Sequence, residues 1–293
     1  MSNMVVRTNT LALNSHRNLG NVANQQARSS ARLSSGFRIN SAADDAAGLG
    51  ISENMRAQIR GLDQASRNAQ DAISLIQTAE GGMATINEMV IRVRELTVQA
   101  ANDINTSEGM PGVETNASNR ARIQGEIDHL VAEIGRTAET LEFNTRNLLD
   151  GSNGTLFFQV GANSNQGITL DLPNIITTVA NEMSTIFGAG LTGNIADGDG
   201  ASISALLSQV DQVLANATAA RGELGALQNR IEFTIQNLDI SSENLSAANS
   251  RIRDTDMAAE MMRLTQANVL QQAATAMLAQ ANQAPQSVLQ LLG

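Results

Sequence analysis

The chain has 293 residues, a length typical of one or two domains, and a net charge of −10. It contains no Cys, which excludes disulfides, zinc–thiolate sites and thiol nucleophiles. All 19 basic residues are Arg, which excludes a catalytic or phosphate-binding Lys, and aromatic residues make up only 2%, which disfavours an aromatic-lined ligand pocket.

The charge is distributed unevenly along the chain. Residues 1–43 carry five Arg and no acid, residues 264–293 carry no charged side chain, and residues 44–263 hold all 29 acids. Gln and Asn interrupt the apolar residues of 264–293, and the N-terminus lacks the apolar segment of a secretory signal. We therefore expect no membrane insertion and no cleavable signal.

The first half of the chain predicts two helices. Residues 3–36 are compatible with a helix but only weakly patterned, whereas a heptad seam of twelve positions, eleven of them apolar, follows. The seam consists of Leu62, Ala65, Ala69, Ala72, Ile76, Ala79, Met83, Ile86, Val90, Val93, Thr97 and Ala100. Two Asp at 44 and 45 favour a helix start there. A helix over 44–101 would be about 85 Å long, so we expect a rod.

The middle of the chain predicts a third helix over 118–141, followed by a change of period. Apolar residues alternate over 156–160 and again over 168–172, with a turn at 161–167, which predicts a β-hairpin at about 155–172. Residues 174–187 are compatible with a short helix, and the Gly- and Asp-rich run 188–200 with a loop.

A second long seam follows the loop, with an apolar residue at every seventh position from Ile203 to Ile252. Two long seams must bury their apolar stripes against each other or against the third helix. After Met257 the apolar residues keep a helical spacing in a segment of Ala, Leu, Met and Gln. Such terminal helices bury too little in one chain to offset their ordering entropy, so we expect both ends to fold by packing against other copies.

The candidate chemical motifs are weak. Gly188–Gly193 fits GxGxxG but does not follow a predicted strand, and no Glu closes a calcium loop after Asp197. Glu126 and His129 form one Glu-x-x-His step, but His16 lacks the second one that a di-iron bundle requires. Five Arg spread over 43 residues, with Phe37 as the single aromatic among them, do not form a nucleic-acid surface. We expect no cofactor, no metal, no nucleic-acid partner and no enzymatic activity.

Several sequence blocks carry a family resemblance. They read LSSGFRINSAADDAAGLGIS at 33–52, IRVRELTVQAAN at 91–102, FFQVGAN at 157–163, SRIRDTD at 250–256 and LAQANQAPQSVLQLL at 278–292. Together they resemble bacterial flagellin, and only about 174–202 lacks a counterpart. The resemblance implies a mainly α fold: a long antiparallel coiled-coil-like helical rod formed by the N- and C-terminal parts, with a small β-hairpin region at the tip.

The resemblance also implies an organisation into two nested parts and a variable segment. Residues 1–42 and 257–293 would form a terminal helical domain lining the filament core, packed through Val6, Leu13, Leu19, Leu264, Leu270, Met277 and Leu278. Residues 43–173 and 203–256 would form the surrounding rod, and 174–202 would be a short variable central segment. The subunit would be exported and would self-assemble into the extracellular flagellar filament that serves swimming motility.

The partners implied by the resemblance are other copies of the chain, a flagellar secretion chaperone, the filament cap and the hook-junction proteins. In flagellins recognised by the vertebrate toll-like receptor for flagellin, an Arg and a Leu on the long helix and a Glu on the next helix make the contact. Arg92, Leu96 and Glu126 match them here, and these residues could equally make subunit contacts in the filament. The alternative function is a hook–filament junction protein of the same superfamily.

Overall fold

A computed structural model describes residues 9–102, 119–151, 155–171, 179, 182–183, 185–187, 195 and 200–292, with side chains except at 171 and 284–292. The Gly-rich motif at 188–193, Asp197 and most of the predicted variable segment 174–202 lie outside these residues. Of the described helices, none combines the length and the hydropathy that crossing a bilayer requires.

The described chain is mainly α-helical with two small antiparallel hairpins, which confirms the predicted fold class. Its helices are α1 (Thr10–Ser35), α2 (Ala46–Ala100), α3 (Asn119–Thr140), α4 (Gly200–Arg253) and α5 (Met257–Leu292). Its strands are β1 (Glu142–Phe143), β2 (Arg146–Asn147), β3 (Thr155–Gln159) and β4 (Gly167–Asp171).

The chain forms two compact units, each built from segments that are distant in sequence. The terminal unit comprises residues 1–59 and 243–293, and the central unit comprises residues 60–242. The predicted domain boundaries, at 42/43 and 256/257, differ from this division. Assignment of the terminal segments to the lining of a filament remains a prediction.

In the central unit, α2 runs antiparallel to both α3 and α4. Ion pairs join Arg94 Nε to Asp211 Oδ1 and Arg221 Nη2 to Glu80 Oε1, each at 2.6 Å. The later residue of α2 therefore contacts the earlier residue of α4, as antiparallel helices require. Near the end of α2, Arg120 Nε of α3 donates to the carbonyl of residue 100 at 2.9 Å. These contacts define a three-helix arrangement with a common apolar core.

The core follows the predicted heptad seams. Eleven of the twelve seam residues of α2 are at most 2% exposed, and Leu62 is half-buried. Thr97, the polar member, satisfies its hydroxyl by donating to the Val93 carbonyl at 2.8 Å. On α4 the seam is buried from Ile203 through Leu238. The heptad pattern therefore identified the packing faces correctly.

Both hairpins lie in the central unit. Strands β3 and β4 pair from Thr155 with Asp171 to Gln159 with Gly167, which confirms the predicted hairpin. The shorter β1–β2 hairpin was not predicted from the sequence. Its turn residues Asn144 and Thr145 both have positive φ, 49° and 62°, as a two-residue turn between twisted strands requires.

Candidate functional site

The terminal unit contains a pair of helices, α1 and α5, that we call the terminal pair. Asn9 Nδ2 donates to the Ala281 carbonyl at 2.7 Å, and Gln26 Nε2 donates to Asn268 Oδ1 at 2.8 Å. Because the contact moves toward lower numbers on α5 as it moves toward higher numbers on α1, the two helices are antiparallel.

The seam between these helices is narrow and contains few large side chains. Apart from the half-buried Arg32 and Ala259, the buried and half-buried positions follow alternating steps of three and four, as in a coiled coil. They are Ala12, Ser15, Leu19, Val22, Gln26, Ser29 and Leu33 on α1, and Glu260, Leu264, Ala267, Gln271, Ala274, Leu278 and Ala281 on α5. Most of these residues are Ala or polar, so the pair buries little apolar surface within one chain.

The seam includes a buried carboxylate that the sequence analysis missed. Glu260 is 2% exposed, and its Oε2 accepts a hydrogen bond from Arg263 Nη1 at 3.0 Å. The adjacent Ser29 hydroxyl, and after it Arg263, hold the pKa of Glu260 below its ordinary value, outweighing the effect of burial. Spacing back from Leu264 did not identify Glu260, because a step of three leads to the exposed Met261 and only a step of four leads to Glu260.

The terminal pair leaves many large apolar side chains exposed. Their exposed fractions range from 43% at Leu270 to 68% at Met262. They are Leu11 and Leu13 on α1, and Met257, Met261, Met262, Val269, Leu270 and Met277 on α5. An exposed apolar set of this extent marks an interaction surface rather than a solvated face.

The residues predicted to pack in a filament core divide into two groups. Leu19, Leu264 and Leu278 are half-buried in the seam of the terminal pair, so they already pack within one chain. Leu13, Leu270 and Met277 are exposed and available to another molecule. Val6 lies outside the described residues.

A cluster of contacts joins the segments next to α1 and α5. Gly36, at φ 75°, ends α1, and Phe37 then forms a β-bridge with Asp254. The guanidinium of Arg253 lies 4.7 Å from the centroid of the Phe37 ring, and its Nη1 donates to Glu53 Oε1 at 2.7 Å. This hydrogen bond is the main reason that the pKa of Glu53 is lowered.

The three residues matched to the receptor contact differ in their exposure. Arg92 donates through Nε and Nη2 to Glu126 Oε1 at 3.1 and 2.8 Å and through Nη1 to Glu95 at 3.1 Å. The hydrogen bonds to Glu126, and then to Glu95, raise the pKa of Arg92. Leu96 is only 2% exposed and belongs to the apolar core. Arg92 and Glu126 therefore form a surface pair, whereas Leu96 lies in the core, and the match of the three residues to a receptor contact stays a prediction.

Within the described residues, no three acidic or His side chains converge as a metal site would require. Two terminal helices that pack on each other and still expose many apolar side chains are typical of a subunit of a larger assembly.

Comparison with known proteins identifies the assembly. The family model of the bacterial flagellin N-terminal helical region matches residues 6–154, and that of the C-terminal helical region matches residues 207–292. The chain therefore belongs to the bacterial flagellin family, the structural proteins that form the extracellular flagellar filament. This confirms the resemblance and the predicted function as a filament subunit for motility.

Individual relatives match over nearly their whole length. The chain is 50% identical over 289 residues to the flagellin of Halalkalibacterium halodurans and 43% identical over 311 residues to that of Bacillus subtilis, in both cases covering 99% of this chain and 100% of the relative. A solved structure assigned to a flagellar hook-associated protein of Vibrio parahaemolyticus has a TM-score of 0.55 at 14% identity, over 72% of this chain and 100% of that one. That likeness concerns the fold alone, so the hook-junction alternative has less support.

Proposed function

We propose that copies of this chain polymerise by burying the exposed apolar side chains of the terminal pair against neighbouring copies. The observation that carries this proposal is the combination of exposed Leu, Met and Val on α5 with a segment, 264–293, that has no charged side chain. Such a surface can be desolvated without leaving a charge unpaired.

The energetics favour assembly over an isolated terminal pair. Full burial of a Leu or Met side chain contributes about 1.5–3 kcal/mol, so covering the exposed half of each one contributes about 1 kcal/mol. Covering several such side chains per copy therefore stabilises the terminal helices more than the few apolar contacts of the seam within one chain do. Mass action among many copies then stabilises the terminal helices.

Deletion of residues 264–293 tests this proposal. The truncated chain should form no filaments at any concentration at which the full chain polymerises, as seen by electron microscopy and pelleting. Its central unit should still unfold cooperatively by circular dichroism, because that unit comprises residues 60–242 and does not include the deleted segment. Normal filaments from the truncated chain would disprove the proposed role of α5.

We further propose that residues 1–42 and 257–293 line the filament core, surrounded by 43–173 and 203–256. The absence of charge in residues 264–293 supports this arrangement, because an uncharged segment can be buried without leaving a charge unpaired. Limited proteolysis should cleave the terminal segments of soluble chains and spare them in filaments. Cleavage at equal rates in both states would contradict the arrangement.

We also propose that the chain is exported and contacts a secretion chaperone, the filament cap and the hook-junction proteins. The exposed apolar side chains of α5 support the chaperone in particular, because they require cover before assembly. A purified flagellar chaperone should co-elute with the full chain and not with the chain lacking 264–293. Co-elution with both would place the chaperone site elsewhere.

For the vertebrate toll-like receptor for flagellin, we propose that the surface pair of Arg92 and Glu126 makes the contact and that Leu96 shapes it from the core. Arg92→Ala should reduce receptor activation in reporter cells. Arg94→Ala is a matched control, because Arg94 pairs instead with Asp211. Equal activation by both variants would remove Arg92 from the contact.

A further inference from the structure

The terminal unit contains a second feature, a polar cavity between α1 and α5 that the polymerisation proposal does not use. Its volume is about 470 Å³, and every side chain lining it is polar or charged. Three Arg line it, Arg28 and Arg32 from α1 and Arg263 from α5, whereas Glu260 is the single carboxylate. The amides of Asn21 and Asn24 lie on the same lining.

Only one oxygen of the carboxylate in this cavity is engaged. Glu260 is buried, and its Oε2 accepts from Arg263 Nη1 at 3.0 Å, whereas its Oε1 has no hydrogen-bond partner among the described residues. Arg32 approaches Asp44 only at 3.9 Å, and Arg28 makes no ion pair with any residue that the structure describes. Because α1 contains no acid, the terminal pair does not supply enough negative charge for its own arginines.

We propose that this cavity is a binding site for an oxyanion, a carboxylate or a phosphate group. Each guanidinium presents five N–H donors, and a planar fork matches an oxyanion well. An apolar ligand is disfavoured by the polar lining, and a cation is disfavoured by three positive charges facing one negative charge. The cavity exceeds the size of one carboxylate, so the oxyanion enters with water or on a larger group.

Two sources can supply this chemistry. One is a free oxyanion such as inorganic phosphate, and the other is an Asp or Glu side chain of a neighbouring copy, since each copy carries 29 acids. The site extends the proposed function without depending on it, because a free oxyanion can bind to a single chain.

The experiment uses inorganic phosphate as the probe, exchanged against chloride at constant ionic strength. Binding is measured by equilibrium dialysis of the soluble full chain and by pelleting of filaments with radiolabelled phosphate. We expect about one saturable site per chain, with affinity at least about tenfold lower in Arg28→Gln and in Arg263→Gln. Arg17→Gln is the matched control, because Arg17 lies on α1 outside the cavity and donates to Asn14 Oδ1 at 2.9 Å.

The outcomes separate the two sources. Phosphate binding that Arg28→Gln weakens and Arg17→Gln preserves identifies a free oxyanion. Filaments that bind no phosphate, combined with a critical concentration at least fivefold higher in Arg28→Gln than in Arg17→Gln, identify a carboxylate of the neighbouring copy. If neither soluble chain nor filaments bind phosphate and the two variants assemble alike, the proposal is wrong. If the chain does not polymerise, the dialysis result alone decides whether the cavity binds an oxyanion. The failure to polymerise then contradicts only the polymerisation proposal.

Discussion

The exposed flank of α5 leads to a quantitative prediction for assembly. Leu270 and Met277 are seven residues apart on this flank and are 43% and 57% exposed. If a neighbouring copy covers the exposed fraction, each side chain contributes about 1 kcal/mol, from about 1.5–3 kcal/mol for full burial. The double variant Leu270→Gln/Met277→Gln should therefore lose about 2 kcal/mol for each subunit added.

This loss corresponds to a critical concentration about 30-fold higher, because about 1.4 kcal/mol is a factor of ten in an equilibrium constant. The assay is pelleting of filaments from a dilution series, with the protein left in the supernatant giving the critical concentration. Ile240→Gln is a matched control, since Ile240 is 60% exposed but lies on α4 in the central unit. An unchanged critical concentration in the double variant, or an equal rise in the control, would refute the reasoning.

Three further predictions concern stability. A Cβ at Gly82 would lie 2.4 Å from Leu141 Cδ2, whereas a Cβ at Gly81 would meet nothing within 4 Å. Gly82→Ala should therefore lower the free energy of unfolding of the central unit by about 1–3 kcal/mol in urea unfolding, because the added methyl group overpacks the core. Gly81→Ala should raise it by about 0.5–1 kcal/mol, because Ala favours the helix more than Gly does. Ile127→Ala, at a fully buried position, should cost about 2–5 kcal/mol in the same assay, and a loss under 1 kcal/mol would contradict the core assignment. The pKa of Glu260 is lowered because the folded state favours its ionised form. Its contribution to the free energy of unfolding is therefore present above a pH of about 4.5 and is lost as the pH falls through the folded-state pKa. On acidification, circular dichroism should show wild type losing more helicity than Glu260→Gln, and parallel profiles would exclude this linkage.

For the central unit, most of the helices and their buried faces were predicted from local periodicity. A seam such as that of α2 is read from spacing alone, because large apolar residues on one side of a helix have to be buried whatever the partner is. Leu96 shows the limit of this reasoning. It lies outside the predicted seam and is nevertheless in the core, because α2 packs against both α3 and α4 and so buries a wider face than one seam.

For the terminal pair the sequence was less informative. Its seam consists largely of Ala, Ser, Gln and a buried Glu260, which have weak or no apolar signal, so spacing alone did not distinguish seam from exposed flank. Leu264 and Leu278 face the partner helix, whereas Leu270 and Met277 face outward, although all four are apolar residues of one helix. Sequence spacing also could not predict the polar cavity, because its arginines come from opposite ends of the chain.

The sequence by itself determined the helical class, the heptad seams, the β3–β4 hairpin and the flagellin family, because these depend on local spacing and on motifs within short segments. The tertiary structure decided which apolar side chains are already covered, where Glu260 is buried, and that Arg28, Arg32 and Arg263 line one cavity. These features depend on the antiparallel register of α1 against α5. That register brings residues more than 200 positions apart into contact, as Gln26 and Asn268 show, and no local pattern encodes it.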